Sequence, residues 1–205
     1  MSQIDEAVAA IRAGGLAVVP MDTVYGLVCS PYREDPVRLL SEVKRRRSDQ
    51  PIAIVGASVD WLLECVPELR GWAGVAARSL LPGPYTLVLP NPARRFPWLC
   101  AKRPNTIGVR VPDVGGPGRE VLDAVGAVAA TSANLHGGRS PRRLEDVPAE
   151  ILSEVVVVDG GELPGTPSTV VDLTGSEPQI LREGAVPASE ALDRVEDALH
   201  ALPGE

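Results

Sequence analysis

Aromatic side chains make up only 3% of the 205 residues. The core must therefore be aliphatic, and a row of rings on which bases or sugars stack is excluded. Lysine is nearly absent. Of twenty Lys and Arg residues, only Lys44 and Lys102 are lysines. The three cysteines, Cys29, Cys65 and Cys100, stand far apart without a CxxC pair. That spacing excludes a cysteine-rich metal site and reads as reduced thiols in a cytoplasmic protein. With two histidines, His136 and His200, and no GxSxG elbow, the chain is poor in nucleophilic triads. HExxH, EF-hand, Walker and GxGxxG patterns are also missing, so no metal-site residues are expected. Any phosphate must be held by side chains and irregular backbone. No apolar run approaches the ~20 residues of a membrane span, and the opening MSQIDEAVAAIRAGG is acidic before it is apolar, unlike a signal peptide.

What is present describes a folded globular chain, with 44% hydrophobic and 23% charged residues. The length fits one domain over 1–205, with its core at about 5–200. The net charge of -7 is unevenly spread. Residues 145–205 hold 14 acidic and 2 basic side chains, whereas the first 144 residues hold 18 basic and 13 acidic ones. An anionic ligand is therefore expected on groups from the first two-thirds, and the acidic remainder opposes a broad nucleic-acid-coating surface.

Strand-like and helix-like runs alternate. Short apolar runs predict strands at 16–20, 24–29, 52–55, 85–89, 106–111, 127–131, 154–158, 168–173 and 179–182. Helical spacing predicts helices at 4–13, from Asp35-Pro36 to Lys44, near 58–69, and at 72–81, 117–125, 143–151 and 188–200. Asp35 suits an N-cap there, and Gly14-Gly15 a helix stop. The proline-rich segment 90–105 reads as a surface loop. Without a strict βαβ rhythm, the pattern favours an α/β (α+β type) fold, a single twisted mixed sheet with flanking helices.

Three clusters carry possible chemistry. Lys44 and Arg46 end a predicted helix, either compensating its dipole or clamping a polyphosphate. Thr131-Ser132-Ala133-Asn134 follows an apolar strand, as a turn or as hydrogen-bonding groups for a ligand at the sheet's rim. Arg110 lies inside a strand and needs a partner, an internal carboxylate or a ligand's.

In order, the chain carries Asp22-Thr23-Val24-Tyr25-Gly26-Leu27, Lys44-x-Arg46 with Pro51, Pro82-Gly83-Pro84-x-Thr86 and Thr106-Ile107-Gly108-Val109-Arg110-x-Pro112. Ser132-Ala133-Asn134 with Ser140-Pro141, Ser168-Thr169-Val170-Val171-Asp172 and Ile180-Leu181-Arg182-x-Gly184 follow. Together they resemble the threonylcarbamoyl-adenylate synthases, proteins of the YrdC-like fold, in their short single-domain form. The resemblance implies an enzyme, a nucleotidyltransferase that joins L-threonine, bicarbonate and ATP into threonylcarbamoyl-AMP and pyrophosphate, with Mg²⁺ accompanying the nucleotide. It implies that Lys44, Arg46, Thr106, Ser132, Asn134, Ser140 and Arg182 hold ATP, with Lys44, Arg46, Ser132 and Asn134 serving catalysis. Thr23, Arg110 and Ser168 would hold threonine. Transfer to tRNA would be the work of a separate threonylcarbamoyl transferase complex. Met21, Arg47, Thr131, His136 and Val55 depart from the usual family pattern. Two other readings stay open: an RNA-binding module of the same fold, and carbamoyl-adenylate chemistry fed by carbamoyl phosphate.

Overall fold

The computed structural model describes residues 1–47, 49–65 and 71–201. Its strands are β1 (Leu16–Pro20), β2 (Tyr25–Cys29), β3 (Ala53–Gly56), β4 (Tyr85–Pro90), β5 (Thr106–Arg110), β6 (Ala127–Ser132), β7 (Val156–Val157), β8 (Thr169–Asp172) and β9 (Gln179–Arg182). Its α-helices are α1 (Gln3–Ala13), α2 (Glu34–Val43), α3 (Val59–Cys65), α4 (Gly71–Leu80), α5 (Pro97–Cys100), α6 (Gly116–Val125), α7 (Ala149–Leu152) and α8 (Ala188–His200). The nine strands form one mixed sheet in the order β7-β1-β2-β6-β3-β5-β4-β8-β9. Pairs β1/β7, β3/β5 and β4/β8 are parallel and the others antiparallel.

Alternation along the strands sorts side chains onto two faces. On one face Tyr25, Leu27, Ile54, Val109, Leu87 and Val171 are buried. Helices α2, α4 and α8 cover them with Val37, Leu40, Ala76, Ala77, Ala191 and Val195, completing the main core. On the other face a smaller apolar cluster joins Ala7, Val8 and Ile11 of α1 and Val121 and Leu122 of α6 to Val19, Val28 and Val128. This cover sits at the β1 end of the sheet, where α1 and α6 pack on each other and on β1. Beyond it, the same face of β3, β5, β4 and β8 borders a cleft. Gly26, Ala53, Gly108 and Ala130 keep that strip low.

All nine expected strands occur, most shifted by a residue or two. Gly14 ends α1 in the left-handed conformation, φ 91°, as a helix stop requires. Two helix expectations are corrected. Helix α2 starts at Glu34 with extended Arg33 before it, so Asp35 falls in the first turn and pairs with the Arg33 guanidinium rather than capping. The helix expected over 143–151 is a 3₁₀ turn at Leu144–Asp146 followed by α7. Pro148 breaks it, because proline lacks the N–H that would bond back and its ring crowds the preceding turn. The 66–69 part of the helix expected near 58–69 lies outside the described residues. No described helix is long and apolar enough to cross a membrane.

Candidate anion-binding site

The end of α2 aims the first cation cluster. Val37 and Leu40 anchor the helix to the core, and Lys44 follows its last turn. Arg45 then adopts φ 51°, a left-handed step that reverses the chain. Lys44 turns inward and is 3% exposed. Its ammonium donates to the Ser132 carbonyl, to the Asn134 carbonyl at 2.6 Å and to Asn134 Oδ1 at 2.9 Å. Three ammonium hydrogens thus meet three oxygens. Burial, reinforced by the charge of Arg46, pushes the Lys44 amine down to about 7.

Lys44 therefore fastens the corner that ends β6. The Ser132 hydroxyl donates to Asn134 Oδ1, and the Asn134 amide donates to the carbonyls of Leu135 (2.9 Å) and Gly138 (2.6 Å). Arg46 runs alongside, donating from Nη1 to Thr131 Oγ1 at 3.1 Å and from Nη2 to the Pro51 carbonyl at 2.7 Å.

Across the strip, Val55 of β3 pairs in register with Arg110 of β5. Nη2 of Arg110 donates to Asp22 and, at 2.8 Å, to Thr23 Oγ1. The internal carboxylate that the sequence left open is thus Asp22. Burial raises the Asp22 carboxyl against the opposing pull of Arg110. On the far side, Arg182 Nη2 donates to the Ser168 carbonyl at 2.7 Å, and the hydroxyls of Ser168 and Thr86 share a 2.8 Å hydrogen bond. Gly184 permits this arrangement. A Cβ there would lie 2.2 Å from the Pro167 carbonyl oxygen and 2.5 Å from that of Ser168. Gly184→Ala should therefore displace Ser168 and cost about 1–3 kcal/mol through overpacking. Thermal unfolding of the variant checks this, with an unchanged midpoint as the contrary result.

These groups surround a cleft of about 510 Å³. Of the residues expected from the sequence, Arg46, Thr106, Arg110, Ser132, Ser140, Ser168 and Arg182 line it. Lys44, Asn134 and Thr23 are buried and absent from the lining, though each touches a residue that is part of it. Sequence reasoning missed Arg103 and Thr86 as lining residues. Thr86 sat within a quoted motif, whereas nothing about Arg103 in a proline-rich turn marked it.

The electrostatics are one-sided. Arg46, Arg103, Arg110 and Arg182 line the cleft and no carboxylate does, among the described residues. Burial alone lowers the affinity of Arg46 and Arg182 for their protons. The Nε atoms of Arg46 and Arg110 are buried without a hydrogen-bond partner. Undercompensated guanidinium groups of this kind favour a polyanionic ligand. The site is thus an arginine-lined, hydroxyl-edged cleft on an open sheet face.

Comparison with known proteins places this architecture. The family model for Sua5, YciO and YrdC proteins, described as telomere recombination, matches residues 9–184. The chain belongs to that family. A threonylcarbamoyl-AMP synthase of Pyrococcus abyssi is 35% identical over 88% of this chain and 53% of its own length. A putative threonylcarbamoyl-AMP synthase of Mycobacterium tuberculosis is 33% identical over 89% of this chain and 84% of its own. The chain thus spans about half of the first relative and most of the second. Among solved structures, Pyrococcus abyssi Sua5 complexed with L-threonine superposes with a TM-score of 0.80 at 31% identity, covering 95% of this chain and 58% of that one. Escherichia coli YciO superposes with a TM-score of 0.80 at 26% identity, covering 93% and 94%.

Proposed function

We propose that the chain is a threonylcarbamoyl-AMP synthase that joins L-threonine, bicarbonate and ATP, for threonylcarbamoyladenosine modification of tRNA. One observation carries the reading: among the described residues, four arginines and no carboxylate line the cleft of a chain whose relatives are named for this activity. The threonine bound in the Sua5 structure supports the amino-acid half. Transfer to tRNA falls to a separate transferase complex, and the chain acts as a single domain.

The chemistry matches a site built without an enzyme nucleophile. The amine of threonine attacks bicarbonate, and water leaves as the carbamate forms. A carbamate oxygen then attacks the α-phosphorus of ATP, and pyrophosphate departs with the electrons of the broken P–O bond. What the protein supplies is position and positive charge where phosphoryl oxygens crowd together. Arg46 and Arg182 would hold the triphosphate, with Thr106, Ser132 and Ser140 fixing its pose. Arg110 would grip the amino-acid carboxylate beside Thr23 and Ser168. Lys44 and Asn134 would act by holding Ser132 in place, a role that follows from their hydrogen bonds. Among the described residues the lining offers hydroxyls such as that of Ser132 and no carboxylate, so Mg²⁺ would be held chiefly by the triphosphate, whose charge it would neutralise.

Incubation with ATP, bicarbonate and single amino acids, followed by mass spectrometry, tests the reading. A threonylcarbamoyl-adenylate with matching pyrophosphate is expected only with threonine. An adenylate formed instead from carbamoyl phosphate, without threonine dependence, would transfer the chain to carbamoyl chemistry. RNA binding without ATP turnover would make it a binding module.

A further inference from the structure

We infer that Arg103 is the capture point for the polyphosphate end of the nucleotide and for the pyrophosphate product, an inference that rests on the nucleotide reading above. The argument begins with which cations in the cleft are already engaged. Arg46 donates one hydrogen from each terminal nitrogen, to Thr131 and to the Pro51 carbonyl. Arg110 is paired with Asp22, and Arg182 with Ser168. Lys44 is enclosed by Ser132 and Asn134. Arg103 is the one cleft-lining arginine that makes no side-chain hydrogen bond or ion pair within the described residues; it and Arg182 are exposed, whereas Arg46 and Arg110 are half-buried.

Its backbone, by contrast, is held on both sides. The Arg103 N–H donates to the Cys100 carbonyl at 3.0 Å. The Arg103 carbonyl accepts from the Thr106 N–H at 3.0 Å and from the Thr106 hydroxyl at 3.2 Å. Next in the chain, Lys102 pairs at 3.0 Å with Asp49, which also holds Arg47 at 3.1 Å. This bridge ties the turn to the segment that places Gln50 and Pro51 in the cleft wall. Ala101 at φ 50° and Phe96 at φ 49° show a loop forced into conformations that residues with side chains rarely take. A strained, backbone-bonded turn thus presents one guanidinium without a partner among the described residues at a cleft already lined by three others. Such a fork suits a terminal phosphate, which carries more charge and more free oxygens than the α-phosphate. Because it is solvated and has no partner among the described residues, it also attracts the anion before the half-buried Arg46 and Arg110 touch it.

The test compares Arg103→Ala and Arg103→Lys with the wild type, using ATP, pyrophosphate and AMP as separate probes. For Arg103→Ala, we expect the KM for ATP and the inhibition constant of pyrophosphate each to rise about tenfold, as for one lost charge-assisted contact. AMP affinity, kcat and the melting temperature should stay within about twofold or a few degrees, a split that a merely structural role would not produce. The salt dependence of pyrophosphate binding should become shallower, and Arg103→Lys should recover part of both losses. Equal weakening of AMP and pyrophosphate, or no change in either, overturns the inference while leaving the nucleotide reading intact. A wild-type protein that binds neither ATP nor pyrophosphate overturns both.

Discussion

Lys44→Ala should lower kcat/KM for ATP by about 100-fold or more, the scale at which a misplaced catalytic geometry is felt. The protein should stay folded but lose about 2–4 kcal/mol of stability. Both effects have one origin. Removing the ammonium takes the Lys44 donor from the Ser132 and Asn134 carbonyls and leaves Asn134 Oδ1 only the Ser132 hydroxyl, and each unsatisfied buried acceptor costs about 1–3 kcal/mol before relaxation or entering water reduces it. The corner that ends β6 then drifts, and Ser132 with it. Steady-state kinetics with denaturant unfolding separates the two losses. A variant with wild-type turnover would remove Lys44 from the mechanism.

The same group predicts a pH effect. Only the charged ammonium has a hydrogen for each of its three oxygens. Because Lys44 is pushed down to about 7, free enzyme loses that third hydrogen as pH rises through this value. The ratio kcat/KM, which reports free enzyme, should therefore fall on the alkaline side. Bound phosphate charge favours the ammonium, so the fall in kcat should come at higher pH. A kcat/KM profile flat from pH 6 to 9 would contradict this.

Arg110→Leu should be the most damaging change to stability, at about 3–5 kcal/mol, because it strands a buried carboxylate. Asp22 has a side chain only 6% exposed, and Arg110 is its salt-bridge partner. Burial already raises the Asp22 carboxyl, and Arg110 is the first of the groups that oppose it. Without that guanidinium, the folded-state value should climb further above the unfolded one. The sign follows from proton linkage. Above the unfolded value the native variant holds a proton that the unfolded chain has released. The variant should therefore be most stable in acid and lose stability as pH rises through the raised folded value. Asp22→Asn added to Arg110→Leu should restore much of the loss at neutral pH. Urea midpoints for the two variants at pH 4 and 7 would test this, and a double variant no better than the single one would argue against the pair.

The sheet was legible in the sequence because buried strands announce themselves as short aliphatic runs between glycines and prolines, and each of those runs paired. The break at Pro148 was missed because a helical apolar spacing continues across it. The chemical residues were legible as types at given spacings. Their burial was not. Lys44 meets acceptors 88 and 90 residues away, and Arg110 meets Asp22 at a separation of 88. Such encounters are set by strand order, which local periodicity does not encode. Arg103 was invisible for the opposite reason: its significance lies in having no partner among the described residues, a property of the packed surroundings rather than of neighbouring letters.

Strand β9 lies at the sheet's margin, with Leu181 half-exposed, yet it delivers Arg182 to the cleft. A ligand held by Arg182 and by groups on the neighbouring strands would tie that outermost strand to the interior. Such a ligand would then serve as a clasp, fastening this border to the interior and favouring the intact state by mass action. Occupancy and structural integrity would be coupled at this edge.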